Sequence, residues 1–216
     1  MLNKLIVSRL NKNTGFKKIL FDINFNISKK QLLVITGPNG SGKTTLIRII
    51  AGLISDYTGK IIFKDEKNNK INKNEIIPGY LGHSSMIYEE MTVEENINFF
   101  TSLYGKFNQD KQKKLLQRYD LYLYRYEPAG NLSRGMKQRL SLIRLNLLDP
   151  VLILYDEPFT GLDESGQILL NNYIKKQKKS GKIQILITHN LKLLEDIKYQ
   201  KLQLKEGQII SRDYHE

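Results

Sequence analysis

A glycine-rich run that begins at Gly37 has the residue types and spacing of a phosphate-binding loop. Four residues separate Gly37 from Gly42-Lys43-Thr44, an apolar stretch precedes the run, and helical periodicity follows it. Glycines let the backbone turn its N–H groups inward onto phosphate oxygens, and the positive end of the following helix adds to this attraction. Lys43 is expected to reach the β- and γ-phosphates of a nucleotide, and the Thr44 hydroxyl to bind Mg²⁺. The predicted phosphate-binding residues are Gly37, Pro38, Asn39, Gly40, Ser41, Gly42, Lys43, Thr44 and Thr45.

Two carboxylates, Asp156 and Glu157, follow the apolar run over residues 151–155. In enzymes with a phosphate-binding loop an aspartate in this position holds Mg²⁺, usually through water, so Asp156 is predicted to be a metal ligand with Thr44. Glu157 is placed to polarise an attacking water and is predicted to be catalytic. A strand that ends in Asp-Glu is a weak signal alone, and the phosphate-binding loop makes it specific.

Residues 132–139, with the sequence LSRGMKQR, resemble the signature motif of the ABC ATPase superfamily. The family motif is usually L-S-G-G-Q followed by x-Q-R, and this chain has Arg134 and Met136 where Gly and Gln are usual. The resemblance implies that the Ser133 hydroxyl and the Gly135 N–H form a second phosphate cradle at a helix start. It extends over roughly residues 19–207.

Further positions follow in the order that the family has them. Residues 158–163 resemble the D-loop, with Asp163 as its acidic member, which the resemblance places at the nucleotide. An apolar run ends in Thr188-His189 and resembles the H-switch, which implies that His189 contacts the γ-phosphate and helps to fix Glu157 and the water.

Two positions depart from the family pattern. His83 stands where the family has its Q-loop glutamine, and a neutral imidazole could replace the amide oxygen as an acceptor near Mg²⁺, although it titrates near neutral pH. His83 is therefore predicted to be both catalytic and metal-contacting, against the alternative of a plain surface histidine. Phe16 is the nearest aromatic residue to the family's adenine-stacking position, and stacking on a base needs only a π face.

The elements that must position these residues alternate between strand and helix. Strands are predicted over residues 4–7, 19–27, 32–35, 60–63, 76–81, 151–155, 183–188, 202–204 and 208–210, and helices over 43–53, 92–104, 110–120, 133–148 and 164–179. Such alternation predicts an α/β fold with a largely parallel sheet. With the resemblance, this is a P-loop NTPase of ABC type, with a RecA-like core, an antiparallel β subdomain and a helical signature lobe. One domain is expected over 1–216, with a catalytic core at about 1–82 and 150–216 and the helical lobe at about 83–149.

Composition limits the remaining choices. The chain has no cysteine, which excludes disulfides and thiolate metal sites, and its apolar runs are shorter than the roughly 20 residues that cross a bilayer. A net charge of +12 could attract nucleic acid or anionic lipid, but the basic residues are spread along the chain, which favours a solvated surface.

Among the members of the resembled family, a single-domain transporter subunit fits best. The segment between Lys43 and Ser133 is too short for the long coiled coil of chromosome-organising members, and the zinc modules of DNA-damage scanning members need cysteines. The resemblance then implies ATP and Mg²⁺ as cofactors, a head-to-tail homodimer on ATP binding, integral-membrane partner subunits, no nucleic acid and a place at the cytoplasmic face of the cell membrane. The alternative is a nucleic-acid-linked ATPase, favoured only by the charge.

A finer resemblance concerns the cargo. Gly82-His83, the segment over residues 89–96 and the LSRGMKQR stretch look like the haem-exporter ATP-binding subunits of cytochrome c maturation. Drug and lipid exporters share the S-R-G-M signature and remain an alternative. An ATPase subunit does not touch the cargo, so export of haem is an expectation from the resemblance alone.

Overall fold

Two β-sheets form the framework of the protein, for which a computed structural model describes residues 1–82 and 86–215. The smaller sheet is antiparallel with the order β2-β1-β4-β5, and the larger has the order β10-β9-β3-β8-β7-β6. Strands β9, β3, β8, β7 and β6 run parallel, and β10 pairs antiparallel with β9. The strands are β1 (Leu2–Thr14), β2 (Lys17–Ser28), β3 (Leu32–Thr36), β4 (Thr58–Asp65), β5 (Lys70–Ile71), β6 (Gly79–Leu81), β7 (Leu152–Asp156), β8 (Ile183–Ile187), β9 (Tyr199–Lys205) and β10 (Gln208–His215).

Five α-helices occur within residues 1–82 and 86–215, and local side chains define where most of them begin. Thr92 and Glu95 form a capping box before α2, and Asn108, Ser133 and Asp163 cap α3, α4 and α5 by accepting backbone N–H bonds. Among the described residues no helix is long and apolar enough to cross a membrane. The helices are α1 (Lys43–Ile50), α2 (Val93–Leu103), α3 (Gln109–Arg118), α4 (Arg134–Leu148) and α5 (Glu164–Lys179).

The central strands are buried on both faces, and alternate residues belong to different cores. In β7, Ile153 and Tyr155 pack with α2 to α5, whereas Leu152 and Leu154 pack with α1 and the antiparallel sheet. The same alternation holds in β3 and β8. Helices α2, α3 and α4 form one helical segment. Because they share this core with β7, the helical segment packs directly against the strand that ends at Asp156.

The predicted fold class is confirmed, and the predicted element boundaries need correction at several places. The strand predicted over 76–81 begins only at Gly79, because Pro78 cannot donate a ladder hydrogen bond. Helix α1 ends at Ile50, where Gly52 adopts a positive φ of 79°. Strands β1, β2, β9 and β10 are longer than predicted, because polar residues near their ends obscure the alternation of apolar and polar residues. The sequence did not predict the two-residue strand β5.

A buried hydrogen bond between β7 and β8 contributes to the stability of the sheet. The Tyr155 hydroxyl donates to Gln184 Oε1 at 2.7 Å, and both residues are fully buried. Tyr155→Phe removes the donor and orphans the amide oxygen, so we expect a loss of about 1–3 kcal/mol in the free energy of unfolding, measured by urea denaturation. Tyr214→Phe, on the exposed end of β10, is the matched control and should have no measurable effect. Equal stabilities of Tyr155→Phe and the parent would contradict this account of the core.

Candidate functional site

The glycine-rich loop between β3 and α1 is shaped by two glycines that allow close backbone approach. A Cβ on Gly37 would lie 2.0 Å from the Leu204 carbonyl oxygen, and one on Gly42 would lie 2.7 Å from the Ile19 carbonyl oxygen. Both glycines have positive φ angles, 142° and 99°, which other residues rarely adopt. Gly42 is also the N-cap of α1 and offers no side chain, so the first-turn N–H groups of the helix receive no side-chain cap.

Lys43 folds back over the loop that carries it. Its Nζ donates to the carbonyl oxygens of Gly37 at 2.7 Å and Pro38 at 2.9 Å, and the residue is only 7% exposed. Burial lowers the pKa of Lys43, while the negative charges of Glu157 and Asp156 act in the opposite direction. The ammonium group is therefore held beside the loop by carbonyl oxygens that a stronger acceptor, such as phosphate, could replace.

The carboxyl end of β7 brings Asp156 to the start of α1. The Thr44 hydroxyl lies 3.0 Å from Asp156 Oδ1, and Asp156 is 4% exposed. A hydroxyl and a carboxylate side by side are hard oxygen donors of the kind that Mg²⁺ prefers, usually with phosphate oxygens completing the shell. In the described part of the chain, no group of three or more His, Cys, Asp or Glu residues could hold a metal ion. These residues fit a magnesium–nucleotide complex.

Glu157 adopts an unusual backbone conformation next to this pair. Its φ of 53° is left-handed, which typically costs a non-glycine residue about 1 kcal/mol or more. The Glu157 N–H donates to the Ile187 carbonyl oxygen at 3.0 Å, which ties this turn to the end of β8. Glu157 Oε1 then lies 3.0 Å from Nε2 of His189, two residues beyond β8. The predicted catalytic pair is thus brought together, at the expense of backbone strain that no sequence motif reveals.

A cavity of about 310 Å³ opens above the glycine-rich loop. It joins most of the predicted loop residues to Glu157 and His189, and it adds two residues of β2 that sequence reasoning missed. The antiparallel sheet thereby contributes one wall. The lining residues are Lys17, Ile19, Asn39, Gly40, Ser41, Gly42, Lys43, Thr44, Thr45, Glu157, Ile187 and His189.

The predicted signature residues lie elsewhere on the surface. Ser133 is exposed, and its hydroxyl accepts the Met136 N–H at 3.3 Å at the start of α4. Neither Ser133 nor Gly135 is among the described residues that line the cavity. This chain alone therefore does not bring its signature onto its own glycine-rich loop.

Two side chains of α4 tie the signature helix to the segment after Glu157. Gln138 Nε2 donates to the Pro158 carbonyl oxygen at 3.0 Å. Arg139 bonds both carboxylate oxygens of Asp163, each at 3.1 Å, and also pairs with Asp120. Asp163 meanwhile caps α5, and its bonds to the Gly166 N–H and to Arg139 lower its pKa. The carboxylate predicted to contact nucleotide is thus engaged within its own chain.

The two off-pattern positions are placed differently by the structure. Phe16 is fully exposed in the turn between β1 and β2, directly before the cavity residue Lys17, so its ring is open to solvent. His83 lies outside the described residues, two positions beyond the end of β6.

Known proteins similar to this chain were found by sequence and by structure. A sequence profile described as ABC transporter matches residues 20–160. An uncharacterised ABC transporter ATP-binding protein of Methanocaldococcus jannaschii is 34% identical over 97% of this chain and 77% of its own length. A solved structure described as the ATP binding subunit of an ABC transporter superposes with a TM-score of 0.85 at 26% identity, covering 97% of this chain and 89% of that one.

Relatives that are named for a cargo differ in the direction of transport. A cytochrome c biogenesis ATP-binding export protein of Aliivibrio fischeri is 36% identical over 88% of this chain and 94% of its own length. An aliphatic sulfonates import ATP-binding protein of Bacillus cereus is also 36% identical, over 83% of this chain and 71% of its own length.

The strained Glu157 makes a prediction about stability and pH. Burial raises its pKa above the ordinary 4.5, against the opposing effect of His189 and Lys43. The folded protein then holds this proton more tightly than the unfolded chain, so the stabilisation is complete below pH 4.5 and is lost as the pH rises through the raised pKa. Glu157→Gln cannot ionise, so its Tm minus that of the parent should increase as the pH rises through this window.

The measurement is a set of thermal unfolding curves between acidic and neutral pH. Glu206→Gln, in the exposed turn between β9 and β10, removes the same charge and is the control. A Tm difference for Glu157→Gln that is independent of pH, or that decreases as the pH rises, would contradict the raised pKa.

Proposed function

Because the chain belongs to the ABC transporter family, as an ATP-binding subunit with ATPase activity coupled to transport, we propose that two copies close head to tail around two ATP molecules. In this arrangement the glycine-rich loop of one copy holds each ATP, and Ser133 and Gly135 of the other copy cover it. Closure and reopening of the pair power export through integral-membrane subunits at the cytoplasmic face of the cell membrane.

One observation carries the proposal: the glycine-rich loop and the start of α4 are separate on the surface of one chain. The cavity above Lys43 is open, and the start of α4, with Ser133 exposed, lies outside it. Helix α4 has 15 residues, and its start carries the positive end of the helix dipole, where the Ser133 hydroxyl accepts the Met136 N–H. Such a helix start attracts an anion, and a second copy supplies one in the form of its bound ATP.

Binding follows from the loop and Lys43. The N–H groups at the start of α1 and the loop backbone surround the phosphates, and the Lys43 ammonium exchanges the carbonyl oxygens of Gly37 and Pro38 for phosphate oxygens. Thr44 and Asp156 would hold Mg²⁺, and the ion would supply positive charge to offset that of the phosphates. The exposed ring of Phe16, beside the cavity, stacks on the adenine.

Hydrolysis follows from Glu157 and His189. Glu157 accepts a proton from the attacking water, and a carboxylate whose pKa burial has raised is a better proton acceptor than an ordinary one. His189, 3.0 Å from Glu157, fixes the orientation of the carboxylate and contacts the γ-phosphate. Asp163, the acidic residue of the D-loop, contributes to nucleotide binding, and His83 takes the role of the Q-loop glutamine.

For the cargo, we propose haem export in cytochrome c maturation. The support is the relative named for cytochrome c biogenesis export, which this chain matches over nearly its whole length. Import of an aliphatic sulfonate is the second candidate, because a relative named for that import has the same identity.

The head-to-tail pair predicts two different effects in two variants. Glu157→Gln should bind ATP normally, hydrolyse it about 10²- to 10⁴-fold more slowly, and accumulate as an ATP-bound dimer. Adding Ser133→Arg should abolish that dimer without changing ATP affinity, because the arginine side chain blocks the partner's site and not its own. Light scattering after gel filtration with ATP measures the mass, and titration with a fluorescent ATP analogue measures the affinity.

Ser180→Arg in the Glu157→Gln background is the control. Ser180 is exposed at the end of α5, near the amino ends of the parallel strands, whereas the glycine-rich loop follows a carboxyl end. The proposal fails if Glu157→Gln stays monomeric with ATP, or if Ser133→Arg weakens ATP binding to the monomer.

The cargo can be tested with the intact complex. The tagged chain is purified together with its membrane subunits from the organism that produces it. The complex is reconstituted in proteoliposomes, and its rate of ATP hydrolysis is measured. Haem added on the ATP side should raise the rate, and Glu157→Gln should remove the response. A response to an aliphatic sulfonate from the opposite side, and none to haem, would assign import instead.

A further inference from the structure

A tyrosine to which the sequence assigned no role in the site contacts the proposed magnesium ligand. The Tyr80 hydroxyl, on β6, lies 3.0 Å from Asp156 Oδ2, while the Thr44 hydroxyl lies 3.0 Å from Oδ1 of the same carboxylate. Asp156 is 4% exposed, so its carboxylate is nearly inaccessible to water. Each of its two oxygens has one hydroxyl donor.

Three elements meet at this carboxylate. Helix α1 supplies Thr44, β7 supplies Asp156 and β6 supplies Tyr80.

We propose that Tyr80 is a positioning residue that fixes the orientation of the Asp156 carboxylate for the magnesium–nucleotide complex. The inference rests on the proposed function, since it concerns the metal ligand of that site. If the Thr44 hydroxyl were to bind Mg²⁺, Asp156 Oδ1 would lose its donor. The Tyr80 hydroxyl would still donate to Oδ2 and would keep the carboxylate in its orientation.

Gly82 leaves room for the tyrosine ring. A Cβ at this position would lie 2.5 Å from the ring, which is closer than side-chain contacts normally allow.

Tyr80→Phe tests the inference because it keeps the ring and removes only the hydroxyl. The readout is the affinity for a fluorescent ATP analogue, measured once with Mg²⁺ and once with EDTA in the Glu157→Gln background, where hydrolysis does not interfere. We expect the Mg²⁺-dependent gain in affinity to fall about tenfold, as loss of a hydrogen bond to a charged group implies, with the affinity in EDTA unchanged. Tyr126→Phe, on an exposed tyrosine remote from β6, is the matched control.

Two outcomes would overturn the proposal: an unchanged Mg²⁺-dependent gain, or an equal loss in EDTA and in Mg²⁺, which would make Tyr80 a packing residue only. Circular dichroism and the unfolding midpoint of Tyr80→Phe establish that the variant is folded. Asp156→Asn separates this inference from the proposed function, because it should abolish the gain. If Asp156→Asn keeps the gain, the proposed metal site itself is wrong; if only Tyr80→Phe keeps it, the site stands and the role of Tyr80 is wrong.

Discussion

The register of the parallel strands is the constraint on which the site depends. Asp156 pairs with Ile187 across β7 and β8, and Ile35 pairs with Ile187 across β8 and β3, so three strands end at one edge of the sheet. The glycine-rich loop, the Asp156-Glu157 pair and the segment that leads to His189 leave from that edge. A shift of one residue in any of these pairings would exchange the two cores and withdraw the side chains from the cavity.

Because the strands are buried on both faces, this register is strongly specified. Side chains of β3, β7 and β8 alternate between a core shared with α2 to α5 and one shared with α1 and the antiparallel sheet. The helical segment is thus anchored to the strand that carries Asp156, and Gln138 and Arg139 add polar links from α4 to Pro158 and Asp163. A change at the nucleotide can therefore reach the signature helix through direct contacts, as the coupling of hydrolysis to transport requires.

The sequence predicted what local spacing encodes. The pattern from Gly37 to Thr44 specifies a loop whose glycines are needed for backbone approach, and the apolar strand before Asp156 specifies where that carboxylate appears. Contacts between residues far apart in the chain left no such signal. Tyr80 and Asp156 are 76 residues apart, and Arg139 and Asp163 are 24 residues apart. The local sequence around each residue does not indicate which residue it contacts. The strained backbone of Glu157 was equally hidden, because its φ is set by the turn between β7 and α5 and by the bond to Ile187.

The central claim is that each ATP is bound by one copy and covered by the other, and a mixing experiment tests it most directly. Lys43→Ala removes the lysine that we propose binds phosphate, and Ser133→Arg blocks the signature, so each variant alone should have almost no ATPase activity. When the two purified variants are mixed, a mixed pair contains one complete site, made of the intact loop of the Ser133→Arg copy and the intact signature of the Lys43→Ala copy. The account predicts that hydrolysis reappears on mixing and increases with the fraction of mixed pairs; a mixture as inactive as its separate components would contradict it.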